Sequence, residues 1–138
     1  MPLLGVRAIR AQTVSASGNP GLLRVSTAIA GSEPVAVSNS TTTYTVTTPP
    51  ANRTHKVTAQ VNAAMPVGLT LSATLAPPPS ASSVGPVALD MTARDVVTGI
   101  QRNTNSTQAI TYTLTATVLA GVVPPTSRIV TLTIVRAP

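Results

Sequence analysis

Cysteine is absent from this 138-residue chain, and so are phenylalanine and tryptophan. Without thiols there is no disulfide framework, no thiolate zinc site, no iron–sulfur cluster and no cysteine nucleophile. Two tyrosines are the whole aromatic complement, which removes the stacking platform that sugars and single-stranded nucleic acid usually require. Acids are nearly missing as well: Glu33, Asp90 and Asp95 stand against eight Arg and Lys56, giving a formal net charge of +6. With a single histidine, His55, there is little from which to build acid–base chemistry. No apolar run approaches the ~18 residues of a membrane-spanning helix. Long helices are excluded too, because thirteen prolines are distributed among short segments.

What is present is alternation. Between turn signals, apolar residues recur with a period of two instead of 3.6, the pattern of half-buried strands. In 68–76, Leu69, Leu71, Ala73 and Leu75 share one face and Thr70, Ser72 and Thr74 the other. The same reading places Tyr112, Leu114, Ala116 and Val118 inward in 110–119, and Val130, Leu132 and Ile134 inward in 128–136. It also places Tyr44 and Val46 inward in 41–48, and Val57, Ala59 and Val61 inward in 55–63. Further strand candidates are 13–17, 21–29 (Leu23, Val25 and Ile29 inward), 86–92 (Val87, Leu89 and Met91 inward) and 95–100. Val, Thr and Ile dominate these segments, and β-branched side chains suit a pleated surface. Gly18-Asn19-Pro20-Gly21, Pro49-Pro50, Pro77-Pro78-Pro79, Gly85-Pro86 and Pro124-Pro125 fall between them as turn signals. Short strands at this spacing predict an all-β fold, a single antiparallel β-sandwich of about 7–9 strands. The sandwich domain is expected over 13–138, with residues 1–12 forming an extended N-terminal arm or the remnant of a secretory signal.

The C-terminal stretch ITYTLTATVLAGVVPPTSRIVTLTIV (110–135) resembles the last hairpin of bacterial immunoglobulin-like domains. There a Thr-Tyr-Thr-Leu-Thr strand turns through a Gly/Pro loop into a final Val-Thr-Leu-Thr-Ile strand. The resemblance implies an immunoglobulin-like sandwich of a secreted or cell-surface protein, with scaffolding, adhesion and assembly roles in place of catalysis. It also offers Tyr112 a place like the tyrosine corner of such domains, whereas their Cys–Trp–Cys hallmark is absent here. No site residue carries over.

The candidate chemistry is thin. His55 lies beside Lys56 and Arg53 with no second histidine or carboxylate at ligand spacing, and reads as an exposed strand-edge residue. Asp90 and Asp95 are the only acids within a short span. Arg94 beside Asp95 reads as a local ion pair, leaving Asp90 as an exposed turn residue. No calcium loop and no nucleophile elbow occur. The expectation is therefore a non-enzyme with no catalytic, cofactor or metal residues. The Thr-x-Thr runs at 41–48, 111–117 and 131–133 could form hydroxyl ladders like those of ice-binding proteins. Their scatter along the chain favours outward rows of ordinary half-exposed strands instead.

Charge scarcity is the more informative anomaly. Charged residues make up 9% of the chain, where about 25–35% is usual for the surface of a freely soluble small domain. The basic residues are spread singly without a dense stripe, which argues against nucleic acid as a partner. A surface clothed in Thr and Ser suits a chain partly covered by neighbours. The expected function is a structural subunit of an extracytoplasmic bacterial assembly (filament, fibre or surface layer). Its copies would join by edge-strand pairing, through an arm at 5–17 or the final strand at 127–136. The alternative is a periplasmic accessory subunit docked on a respiratory or photosynthetic membrane complex, its positive charge meeting anionic lipid or acidic protein.

Overall fold

The computed structural model describes residues 12–18, 23, 34–50, 52–118 and 127–137. The arm ahead of Gln12 and all of the 21–29 strand candidate except Leu23 lie outside the described residues. Leu23 itself packs against the core. The described residues form nine strands: β1 (Thr13–Ser17), β2 (Val37–Thr47), β3 (His55–Val61), β4 (Leu69–Leu75), β5 (Ser82–Ser83), β6 (Val87–Ala88), β7 (Arg94–Ile100), β8 (Asn105–Ala116) and β9 (Val130–Arg136). They build two antiparallel sheets, ordered β1-β2-β8-β4-β6 and β5-β7-β3-β9. The all-β sandwich expected from alternation is what the chain adopts.

From β3 onward, each strand lies in the opposite sheet from the one before it. Every pairing after β1–β2 is therefore non-local, and Ser38 and Thr113, 75 residues apart in sequence, share a hydrogen bond. This corrects the hairpin reading of 110–135. β8 has β2 on one flank and β4 on the other, so it offers no free edge to the next strand. The chain instead re-enters beside β3, where Asn62 N–H donates to the Ile129 carbonyl (3.1 Å) and Ile129 N–H to Asn62 Oδ1 (2.8 Å). Val118, expected inward, is exposed beyond the end of β8.

The core forms where the inward rows of the two sheets meet. One sheet contributes Tyr44, Val46, Leu71, Ala73, Leu75, Ile110 and Tyr112; the other contributes Val57, Ala59, Val61, Val96, Val97, Ile100 and Ile134. Each buried Val, Leu or Ile is worth roughly 1.5–3 kcal/mol of transfer free energy. Tyr44 is completely buried, and its hydroxyl donates to the Ala76 carbonyl; Tyr112, the other ring of the core, is nearly so. Tyr44 thus holds the type of backbone anchor that the resemblance offered to Tyr112.

Strict alternation fails in two places. Val96 and Val97 are both buried where the β3–β7 register shifts, because a bulge turns two successive side chains to one face. Met91, expected inward, is 58% exposed. Strand β6 ends at Ala88, and the Asp90 carboxylate accepts Thr92 N–H to form a turn, which takes Met91 out of phase while Leu89 stays buried. Below the core, buried Thr48 pins the β7–β8 connection. Its hydroxyl donates to the Gln101 carbonyl (2.7 Å) and accepts Thr104 N–H (2.9 Å), beside Asn103 in a left-handed conformation (φ 59°).

Candidate functional site

The two sheets differ in charge in a way the linear sequence conceals. The five strands of the β1-β2-β8-β4-β6 sheet contain no Asp, Glu, Lys, Arg or His. Every described charged residue sits on the other sheet or in a connection. Outward from the neutral sheet, hydroxyls stand in cross-strand register: Ser15 opposite Thr45 opposite Thr107, and Ser38 opposite Thr113 opposite Ser72. Neighbours bond to one another, Thr45 with Thr107 at 2.7 Å, Ser40 with Thr111 at 2.9 Å and Ser38 with Thr113 at 3.0 Å. Two of the three Thr-x-Thr runs lie on neighbouring strands of this one sheet but not opposite each other: 41–48 faces 105–110, and 111–117 faces 37–40 and 69–74. A bulge between Asn39 and Thr42 interrupts the ladder, and the mutual hydrogen bonds use hydroxyl protons that a flat ice-like template would present.

The edges are equally unequal. On one side of the sandwich the outer strands are β5 and β6, two residues each. On the other side they are β1 and β9, which lie near one another. Residues 13–17, part of the proposed exchange arm, pair with β2 of their own chain. Strand β9 is the longer of these two edges, and among the described residues it pairs only with β3. Its side chains alternate Val130, Leu132 and Ile134 inward with Thr131 and Thr133 exposed. No charge occurs between Ile129 and Val135. Exposed sheet edges present unpaired N–H and C=O groups and are usually blunted by charge, proline or shortness. Shortness protects β5 and β6; β9 has arginines only at or beyond its ends, Arg128 and Arg136.

The titratable residues are dispersed. His55 is buried, 1% exposed, and not an edge residue. It stands in phase with Val57, Ala59 and Val61 on β3, between β7 and β9, facing Ile100 and Arg136 in register. Its polar neighbours Arg53 and Lys56 obscured that phase, which counting by twos from Val57 would have revealed. Its Nδ1 is buried without a hydrogen-bond partner. Burial, followed by the nearby Arg136 charge, lowers its pKa below the usual 6.5. The folded chain therefore takes up a proton less readily than the unfolded chain, and stability is lost as pH falls below about 6.5 toward the folded value. His55→Leu should flatten that part of the profile. Thermal midpoints measured from about pH 7.5 to 5 should drop less in the variant than in the wild type; parallel profiles would contradict the burial argument.

The acids pair differently from the sequence expectation. Arg94 binds Asp90, with its Nε 3.1 Å from Oδ1 and a second bond from the guanidinium to Oδ2. Asp95 binds Lys56 at 3.1 Å. Adjacent residues on a strand point to opposite faces, so Arg94 and Asp95 diverge: Asp95 meets the outward row of β3, and Arg94 turns back to the preceding turn. The Arg94 and Thr92 hydrogen bonds hold the Asp90 carboxyl below its ordinary pKa. The two carboxylates are thereby committed to separate ion pairs. No group of His, Asp and Glu suited to a metal ion occurs among the described residues. A shallow depression of about 250 Å³ is lined by Pro79, Asn103, Thr104, Asn105 and Ser106, none of them titratable near neutrality. Among the described residues, the surfaces that stand out are the open β9 edge and the neutral hydroxyl face. Comparison with protein-family models, with curated proteins and with solved structures finds no match.

Proposed function

We propose that the chain is a non-catalytic structural subunit of an extracytoplasmic bacterial assembly, a filament, fibre or surface layer, whose copies join by pairing sheet edges. The observation that carries this reading is β9, a seven-residue edge strand with a charge-free middle and a half-covered aliphatic row. The neutral face adds weight, because a sheet surface without ions does little to keep neighbouring molecules apart. Edge pairing supplies affinity through main-chain hydrogen bonds and register through alternate side chains. A two-sheet scaffold of this kind also suits the adhesion and assembly roles that the immunoglobulin-like resemblance implies.

Light scattering coupled to size exclusion, together with negative-stain microscopy of the purified full chain, tests the reading. The expected result is a species heavier than the 14.0 kDa single chain, growing with concentration. A monodisperse 14.0 kDa species at high concentration and ordinary salt overturns it. A species that forms only on addition of anionic vesicles or an acidic protein favours docking on a membrane complex instead.

A further inference from the structure

The β9 edge carries a pattern that specifies its own partner. Asn62 N–H donates to the Ile129 carbonyl and Ala137 N–H to the Thr54 carbonyl, and the β3–β9 register is unbroken between them. In an antiparallel ladder, hydrogen-bonded residues alternate with residues whose N–H and C=O point the other way. Residues 129, 131, 133, 135 and 137 therefore bond to β3, while Val130, Leu132, Ile134 and Arg136 direct their main-chain groups away from β3, to an edge with which no other described strand pairs.

Read outward from Leu132, the stretch Arg128-Ile129-Val130-Thr131-Leu132-Thr133-Ile134-Val135-Arg136 is palindromic by side-chain class. Threonine stands on both sides of leucine, followed by two β-branched aliphatics and then an arginine. Leu132, the centre of the palindrome, is also one of the residues whose main chain faces outward. A two-fold axis through Leu132 therefore satisfies both the chemistry and the hydrogen-bond parity. Leu132 pairs with Leu132 of a second copy, Val130 with Ile134, and Thr131 with Thr133 on the exposed face. Val130 and Leu132, only partly buried in one chain, gain aliphatic neighbours that complete their burial. The short edge at β5 has no such length to offer.

We infer that β9 pairs antiparallel with β9 of a second copy of this chain about a two-fold axis at Leu132, joining the two β5-β7-β3-β9 sheets into one continuous sheet. The inference rests on the edge-pairing reading above and specifies its partner and register. It also sets the sign of the salt dependence. Two chains of net charge +6 are brought together, with Arg128 of one in register with Arg136 of the other, although the Arg128 guanidinium is held by the Ala63 and Ala64 carbonyls of its own chain. Added salt, which screens like charges, therefore tightens the pair. Docking of this basic chain on an acidic surface would weaken with salt.

The test introduces charge at two exposed positions of the full chain and measures the dissociation constant by sedimentation equilibrium. Thr131→Lys with Thr133→Lys sets like charges opposite each other twice across the axis and should raise the constant about ten-fold or more. Thr131→Lys with Thr133→Glu places opposite charges at the same contacts and should return it to within a few-fold of wild type. Circular dichroism and thermal melting establish that each variant folds like the wild type. Assembly that treats the two variants alike overturns the two-fold pairing and leaves edge pairing through another strand standing. A monomeric wild type at all concentrations overturns both.

Discussion

Tyr44→Ala is expected to remove a large part of the chain's stability. Large-to-small changes of a buried aromatic cost about 3–5 kcal/mol, against a total of about 5–15 kcal/mol for a domain of this kind. Tyr44 is fully buried in a core with no phenylalanine or tryptophan, whose other members apart from Tyr112 are aliphatic. It also holds the chain after β4 through the Ala76 carbonyl. Tyr44→Phe keeps the ring and loses the hydrogen bond, and should cost about 1 kcal/mol. Urea unfolding followed by circular dichroism separates the two variants, and an alanine variant with a wild-type midpoint would contradict the packing described. Alkaline titration gives a second measure. Burial raises the Tyr44 pKa from 10.0 to about 12, so the unfolded chain loses its proton first, and stability is lost as pH rises from about 10 through 12. Tyr44→Phe should weaken that alkaline loss. Tyr112 is raised by burial as well and supplies the remainder.

The second large effect is expected at the middle of the neutral sheet. Ile110 is completely buried on β8 and lies in register with Leu75, also completely buried, on β4. Either residue changed to alanine should cost about 2–5 kcal/mol, the spread reflecting how far the cavity can collapse. Relaxation is limited here because β8 is held on both flanks, by β2 and β4. In the double variant the two cavities merge, and the combined loss should depart from the sum of the single losses by 0.5 kcal/mol or more, on the order expected of touching residues. Chemical denaturation of the two single variants and the double variant checks this, and strict additivity would mean that the two side chains do not share a space. An exposed control on the same strand, Thr107→Ala, should shift stability far less, since it faces away from the core.

His55 shows how inference from neighbours can mislead. Placed between Arg53 and Lys56 it looks like a surface residue, yet its distance from Val57 makes it an inward one. Phase was the better guide than local polarity, because a strand sends neighbours to opposite faces regardless of their chemistry. Met91 failed for the opposite reason: its phase was right for a longer strand, but an Asp90-capped turn ended β6 first. Asp95 followed the rule that misplaced it. Being adjacent to Arg94, it could not share its face, and it found Lys56 on the neighbouring strand. The open edge of β9 was half legible. Its alternation and its lack of charge can be read from the residues, whereas its position at the border of a sheet cannot.

Alternation, proline spacing and the missing aromatics determined that this chain folds as two β-layers with a lean aliphatic core, since in-or-out placement follows from the pleat of each strand alone. Which strands become neighbours was decided only by the tertiary structure. Partners such as Val37 and Leu114 are selected by how complete rows of side chains fit across the core, and no window of adjacent residues contains that information. The same long-range pairing gathered the uncharged strands into one sheet and set β9 at the border of the other among the described strands.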